Sequence, residues 1–366
     1  MAFDCVFGQD RVKDMFASSM KRNRLAHAYL FHGQAGVGKD AMALSVGMSL
    51  NCTAGVIGGC GECASCTAIM NLENPGFRLV LPVPTRPKSM KEDKYHEIIR
   101  DRALQRMRNP YGEVSYVPEF STLPFIGIDQ IRSMRRDVML KMPGGRHRVF
   151  LLSHADRMNV EAANSLLKLL EEPPGNTVLF LTTSMTGQLL KTIVSRCQIV
   201  RFDPLKEEQV EEALIQTYRQ PKDRARFLAR LAGGSLQRAL TLAGEDYEEK
   251  RNAALSLLEV SLTGDVIERE RWVEQFVRRG EKSDIIEILR ILQMWIRDLL
   301  QQELGFSERA MNIDRIGALE GLRNRWPRFR PESGLKCVEQ AIDFIQKNVY
   351  LDLVIFSLIQ DLRGCR

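Results

Sequence analysis

Residues 148–159 read RVFLLSHADRMN, 160–176 read VEAANSLLKLLEEPPGN, and 177–203 read TVLFLTTSMTGQLLKTIVSRCQIVRFD. Three short, mostly apolar runs, 149–152, 178–181 and 199–202, alternate with helix-length segments. That alternation predicts βαβ units and a parallel sheet. The middle helix carries Ala163, Leu166, Leu167 and Leu170 on one face, and Pro173-Pro174-Gly175 ends it. The stretch closes on Ser195-Arg196-Cys197, just before a strand. Arg196 is read as the functional output that the rest of the chain positions. The alternative is an ordinary ion pair with a nearby carboxylate such as Asp203.

Upstream, HAYLFHGQAGVGKDAMALSVGMSL (27–50) runs strand, glycine-rich loop, helix, with a strand expected over 28–32. Gly33, Gly36, Gly38 and Lys39 fall in P-loop positions, G-x-x-x-x-G-K. Such glycines let backbone N–H groups approach phosphate oxygens, and the helix N-terminus adds positive field. The next residue in an ATPase is Ser or Thr, whose hydroxyl ligates Mg²⁺. Here it is Asp40. A carboxylate about 4 Å from a phosphate charge costs on the order of 4 kcal/mol at an effective dielectric of 20. That corresponds to roughly a thousandfold in affinity unless Mg²⁺ bridges the two groups. Asp40 also suits a helix N-terminus on its own account. An ATPase further needs an acidic pair at the end of the strand after the basic helix described below. With 149–152 as that strand, the pair falls on Ser153 and His154, and Asp156 lies past the strand end.

Cys52, Cys60, Cys63 and Cys66 follow the P-loop helix, two successive C-x2 spacings with a fourth cysteine eight positions upstream. This pattern closes a tetrahedral thiolate site, read as structural zinc, with no open position for catalysis. Gly58, Gly59 and Gly61 permit the tight turns such a knuckle needs. A strand is expected over 77–81. Residues 82–125 are rich in proline and read as an insertion, with one helix over 96–107. Its Arg100, Arg102, Arg106 and Arg108 are interleaved with Asp101 and apolar positions, which suggests a solvated face. An amphipathic helix over 128–142 turns Ile128, Ile131, Val138 and Met139 inward and Arg132, Arg135, Arg136 and Lys141 outward. With Arg146, His147 and Arg148 it forms the densest basic region, which faces either nucleic acid or solvent.

The chain has 366 residues, 44% hydrophobic and 27% charged, enough for two or three domains with ordinary cores. A net charge of +6 is mildly basic. The apolar run VYLDLVIFSLI (349–359) is broken by Asp352 and too short for a bilayer, so no membrane partner is expected. No signal-peptide pattern opens the chain, and a cytoplasmic location is expected. Beyond residue 244 the pattern is all helix. Leu257, Leu258, Val260, Ile285, Ile288, Leu289, Leu292, Ile296, Leu299, Val349, Leu353 and Phe356 fall on apolar stripes, and Trp295 and Trp326 add bulk.

GQAGVGKD, the CGECASC cluster, the ANSLLKLLEEPP helix and the SRC tripeptide together resemble the clamp-loader branch of the AAA+ proteins, over about residues 5–245. The resemblance implies a RecA-like α/β domain with a parallel sheet (1–205), a small helical lid (206–243) and an all-helical C-terminal collar domain (244–366). It implies partners too: gamma/tau motor subunits, a delta subunit, a sliding clamp and primed DNA, within a DNA-synthesising nucleotidyltransferase assembly. The lid arginine that senses nucleotide in motor subunits would match Gln237, with Arg238 one residue off. Asp40, Ser153-His154 and Gln237 are three departures at one site. The SRC arginine, which in the family acts on a neighbour's ATP, is intact as Arg196. The pattern implies a non-hydrolysing stator that donates an arginine finger. A motor subunit in which Asp40 and Asp156 replace the missing groups is the competing reading, with ATP as its cofactor, and a free-standing DNA-binding P-loop protein is the third.

Overall fold

A computed structural model describes residues 3–112, 120, 122–139, 147–263, 265–279, 282–347 and 349–365. Lys141 and Arg146 of the expected basic region lie outside the described residues, as does Pro118 of the insertion. The described residues form two compact units. The first holds residues up to 210 together with 233–238; the second holds 211–232 and 239 onward.

The first unit is built on five parallel strands: β1 (Ala28–His32), β2 (Phe77–Val80), β3 (Arg148–Leu152), β4 (Thr177–Thr183) and β5 (Gln198–Arg201). Their order across the sheet is β2-β3-β4-β1-β5, so β1 sits between β4 and β5. The four pairings between these strands are all parallel, as βαβ units require. β3 and β4 are buried along their whole length, as strands covered on both faces must be. One face of the sheet packs Leu30, Phe150, Leu152, Leu179 and Leu181 against α5 (Ile128–Met139) and α6 (Val160–Glu171). Asn159 caps α6 by accepting from the N–H of Ala162 at 2.9 Å, which fixes where the helix starts. An aromatic cluster of Phe16, Tyr29, Phe31, Phe180 and Phe202 adds to the core, with ring centroids from 4.9 Å apart. Phe16 is supplied by α1 (Asp10–Lys21). Lys21, which ends α1, and Arg22 and Arg24 after it are exposed.

The insertion helix is longer than its sequence pattern suggests, Glu92–Arg108 (α4). One of its arginines also departs from the solvated-face expectation: Arg106 is buried, with 8% of its side chain exposed. The cause is a carboxylate partner, described below.

The second unit is helical. It comprises most of α8 (Glu207–Gln216), α9 (Lys222–Ala232), most of α10 (Leu236–Leu242), and α11 (Glu245–Thr263), α12 (Val266–Arg279), α13 (Lys282–Glu303), α14 (Ile316–Arg325), α15 (Pro331–Gln346) and α16 (Leu351–Gly364). Trp295 of α13 is fully buried, as are Ile285, Leu289, Leu292 and Ile296. Beside Trp295 lies Arg251 of α11, wholly buried, its guanidinium 3.8 Å from the Phe227 ring centroid and paired through two nitrogens with Asp314 at 2.6 and 2.7 Å. Arg224 of α9 reaches Glu248 of α11 at 2.6 Å, so polar bonds as well as apolar packing bind α9 to the later helices. Val349, Leu353 and Phe356 depart from their expected core positions: all three are exposed. In α16 the buried positions are Val354, Ile355, Leu358, Ile359 and Leu362, so the helix turns its other face inward. Among the described residues, no helix is long and apolar enough to cross a membrane.

Candidate functional site

The P-loop forms where β1 ends and α2 (Lys39–Asn51) begins. Gly36 and Gly38 have φ of 74° and 100°, the region where glycine alone is at ease. A Cβ on Gly36 would lie 2.4 Å from the Gln237 Cβ, and one on Gly38 would lie 2.8 Å from the Tyr111 hydroxyl oxygen. These two glycines therefore admit the chain's own neighbours close to the loop. The Leu236 N–H donates to the Gly36 carbonyl at 3.1 Å. Lys39 donates through Nζ to the carbonyls of Gly33 (2.8 Å) and Gln34 (2.6 Å), which turns it back onto the loop.

Burial, moderated by neighbouring carboxylates, lowers the Lys39 pKa to about 8. An unfolded lysine holds its proton up to about 10.4. Between those values the unfolded chain binds more protons than the folded one, so stability rises with pH from about 8 to about 10.4. Lys39→Met should remove that segment of pH dependence from thermal melts taken across the range. A variant that keeps the slope would show that Lys39 is not its source.

Asp40 is buried and fully engaged. Arg106 donates to Oδ2 through Nε at 2.8 Å and also through Nη2. Ser153 donates to Oδ2 at 2.5 Å, and Thr182 donates to Oδ1 at 2.6 Å. Burial alone would raise the carboxyl pKa. The Arg106 guanidinium, helped by His154 and the two hydroxyls, outweighs it and holds Asp40 well below the usual carboxylate range. Asp156, the other candidate substitute acid, accepts from Thr183 at 2.5 Å. His154 takes a left-handed φ of 54° directly after Ser153, and burial lowers its pKa. Neither residue of the Ser153-His154 pair is a carboxylate that could hold Mg²⁺ or polarise a water. The cleft that remains is lined by Gly38, Lys39, Asp40, Arg106, His154 and Gln237 among others. Sequence reasoning missed Arg106, Tyr111 and Thr182 here, because nothing in their local pattern points at the P-loop.

Arg196 stands elsewhere. It follows the short helix α7 (Lys191–Val194) in a turn whose N–H groups bond back to that helix, and it immediately precedes β5 across Cys197. Its Nη1 donates to the Thr192 carbonyl at 3.0 Å, and its Nη2 pairs with Glu171 at 2.8 Å. The partner is thus Glu171 at the end of α6; Asp203 pairs with Arg201 instead, at 3.0 Å. Arg196 is partly exposed and Glu171 more so, so the pair is open to exchange for another anion.

Cys52, Cys60, Cys63 and Cys66 converge, all four sulfurs lying within 4.8 Å of one another. Cys52 and Cys63 are 4.0 Å apart through Sγ, and Cys60 and Cys66 are 3.9 Å apart. A tetrahedral ion with metal–sulfur bonds of about 2.3 Å needs sulfurs roughly 3.8 Å apart. The Cys63 N–H donates to the Cys60 sulfur at 3.3 Å, and Cys63 caps α3 (Ala64–Met70). Hydrogen bonds, the largest from the Thr53 side chain, lower the Cys63 pKa to about 5. The donor set fits one metal ion.

A family model described as "DNA polymerase III, delta subunit" matches residues 8–206, more than half of the chain. The chain belongs to this family. It is 27% identical over 310 residues to DNA polymerase III subunit delta' of Bacillus subtilis, covering 84% of this chain and 81% of that one. It is 32% identical over 236 residues to the subunit delta' of Pseudomonas aeruginosa, covering 63% and 60% of the two. The tau/gamma subunit of Haemophilus influenzae is 29% identical over 249 residues, 66% of this chain and 30% of the relative. The chain is a delta-prime-like clamp-loader subunit of DNA polymerase III, and its parallel-sheet unit carries a P-loop. The tau/gamma likeness spans less of either protein, which leaves the motor reading the weaker of the two.

Proposed function

We propose that this delta-prime-like subunit does not hydrolyse ATP itself and supplies Arg196 to the ATP of an adjacent motor subunit. The observation that carries the reading is the contrast between two sites. At the P-loop, Asp40 has both carboxylate oxygens committed to protein donors. At the other, Arg196 is partly exposed and, among the described residues, bonded to Glu171 and the Thr192 carbonyl. A guanidinium placed on a γ-phosphate stabilises charge that develops in the transition state. The partners in this reading are gamma/tau motor subunits, a delta subunit, the sliding clamp and primed DNA, in the cytoplasm. Residues 206–243 serve as the lid and 244–366 as the collar. The test is ATP hydrolysis by the purified subunit alone, then mixed with gamma/tau, delta, clamp and primed DNA. No turnover alone, with an Arg196-dependent share in the mixture, supports the stator. Magnesium-dependent turnover by the subunit alone establishes the motor reading.

The metal we propose for the four cysteines is zinc, in a structural role. Elemental analysis should find one zinc per chain. Chelation should lower the melting temperature and speed amide exchange over 52–66, since binding energy at such a site is folding energy. No zinc and an unchanged melt would remove the metal site.

A further inference from the structure

We infer that the insertion closes the P-loop: Arg106 of α4 is a built-in cation for Asp40, and it keeps nucleoside triphosphate and Mg²⁺ out. This goes beyond the stator reading, because it assigns the exclusion of nucleotide to a separate segment rather than to the loop's own sequence.

The argument begins with valence. A carboxylate offers about four lone-pair sites on two oxygens. Asp40 receives two N–H donors from Arg106 and the Ser153 hydroxyl on Oδ2, and the Thr182 hydroxyl on Oδ1. A hard divalent cation that sought the carboxylate would have to displace a guanidinium already at contact, in a place closed to bulk water. Arg106 is itself fixed at its third nitrogen, where Nη1 donates to the Gly112 carbonyl at 2.6 Å. The guanidinium is therefore tied both to the P-loop helix and to the chain just after α4. The same stretch supplies Tyr111, buried against Gly38, whose hydroxyl accepts from the Phe7 N–H at 2.9 Å. A phosphate cradled by the loop needs the backbone around Gly38 clear, and the Tyr111 ring stands over it. Asp40 alone would only weaken nucleotide binding. Asp40 with Arg106 and Tyr111 takes up the contacts that a phosphate and its Mg²⁺ would need.

The experiment uses the isolated full chain and a fluorescent ATP analogue with Mg²⁺. The wild type should show no saturable binding. The double variant Asp40→Ser/Arg106→Ala removes both charges together and restores the hydroxyl type found in ATPases. It should bind at least about tenfold more tightly than the wild type, and adding Lys39→Ala should abolish the gain. A double variant that melts cooperatively yet binds no better than the wild type overturns the inference. So does a wild type that already binds as tightly as the double variant. A second measurement needs no variant: amide exchange over 100–112 of the wild type, with and without Mg-ATP. Unchanged exchange supports the closed site, and exchange altered by Mg-ATP overturns it. Neither readout involves Arg196 or partner subunits, so failure here and failure of the stator reading are distinguishable.

Discussion

Loaders assembled with Arg196→Ala should lose ATP turnover at the one motor site that Arg196 serves, by about 10³-fold or more. The total rate of the complex falls by that site's share, and clamp loading falls further if all sites must fire in sequence. The subunit itself should stay folded. Its exposed pair with Glu171 is worth about 0–1 kcal/mol, so the melt should barely move. Arg196→Lys should recover little, because an ammonium lacks the planar fork that meets two phosphate oxygens together. Glu171→Gln serves as the control: it frees Arg196 without removing it, and should leave most of the activity. Single-turnover hydrolysis by the reconstituted complex reads the effect directly. A rate unchanged in Arg196→Ala would end the arginine-finger reading whatever the state of the P-loop.

Arg106→Ala should be among the most destabilising single substitutions in the α/β unit, at about 3–5 kcal/mol. It strands Asp40, which is 4% exposed, as a buried charge without its counter-ion. For a unit of this size each kcal/mol moves the melting midpoint by about 2–4 °C, so a drop on the order of 10 °C is expected. Removing both charges should cost much less than the sum of the single changes, since neither partner is then left alone. Chemical denaturation of the wild type, Asp40→Ser, Arg106→Ala and the Asp40→Ser/Arg106→Ala double variant closes the cycle. A coupling below about 0.5 kcal/mol would mean that water reaches Asp40 and that the pair is not a buried one.

The strands and the P-loop were legible because their signals are local. Residues 149–152 and 178–181 are apolar without alternation, as strands buried on both faces must be, and both lie inside observed strands. The cysteine cluster was legible because ligand spacing is a property of a short loop. Arg106 was not. Its neighbours Arg100, Arg102 and Arg108 make its helix look like a solvated face, and its partner lies 66 positions earlier in the chain. Only the fold brings them together, and only then does burial convert a surface charge into an obligatory pair. Val349, Leu353 and Phe356 fail for the opposite reason. Helical periodicity marks an apolar stripe, but α16 carries apolar residues on more than one side, and the stripe does not say which side is covered. Glu171 was likewise silent as the partner of Arg196: it is one of two adjacent glutamates in an ordinary helix end.

The position of β1 within the sheet sets a schedule for synthesis. Both of its neighbours, β4 and β5, come from residues 177–201, so the strand that carries the P-loop is made long before anything can pair with it. At about 5–20 residues per second, the ribosome needs roughly 10–30 s to deliver them. Throughout that interval Ala28–His32, an almost wholly buried strand in the finished protein, waits with both hydrogen-bonding edges open. Non-local pairing of this kind is slow to close and prone to association with other chains. The nascent chain is therefore a natural client for chaperones that shield apolar segments, and its yield on overexpression should depend on them more than its final stability suggests.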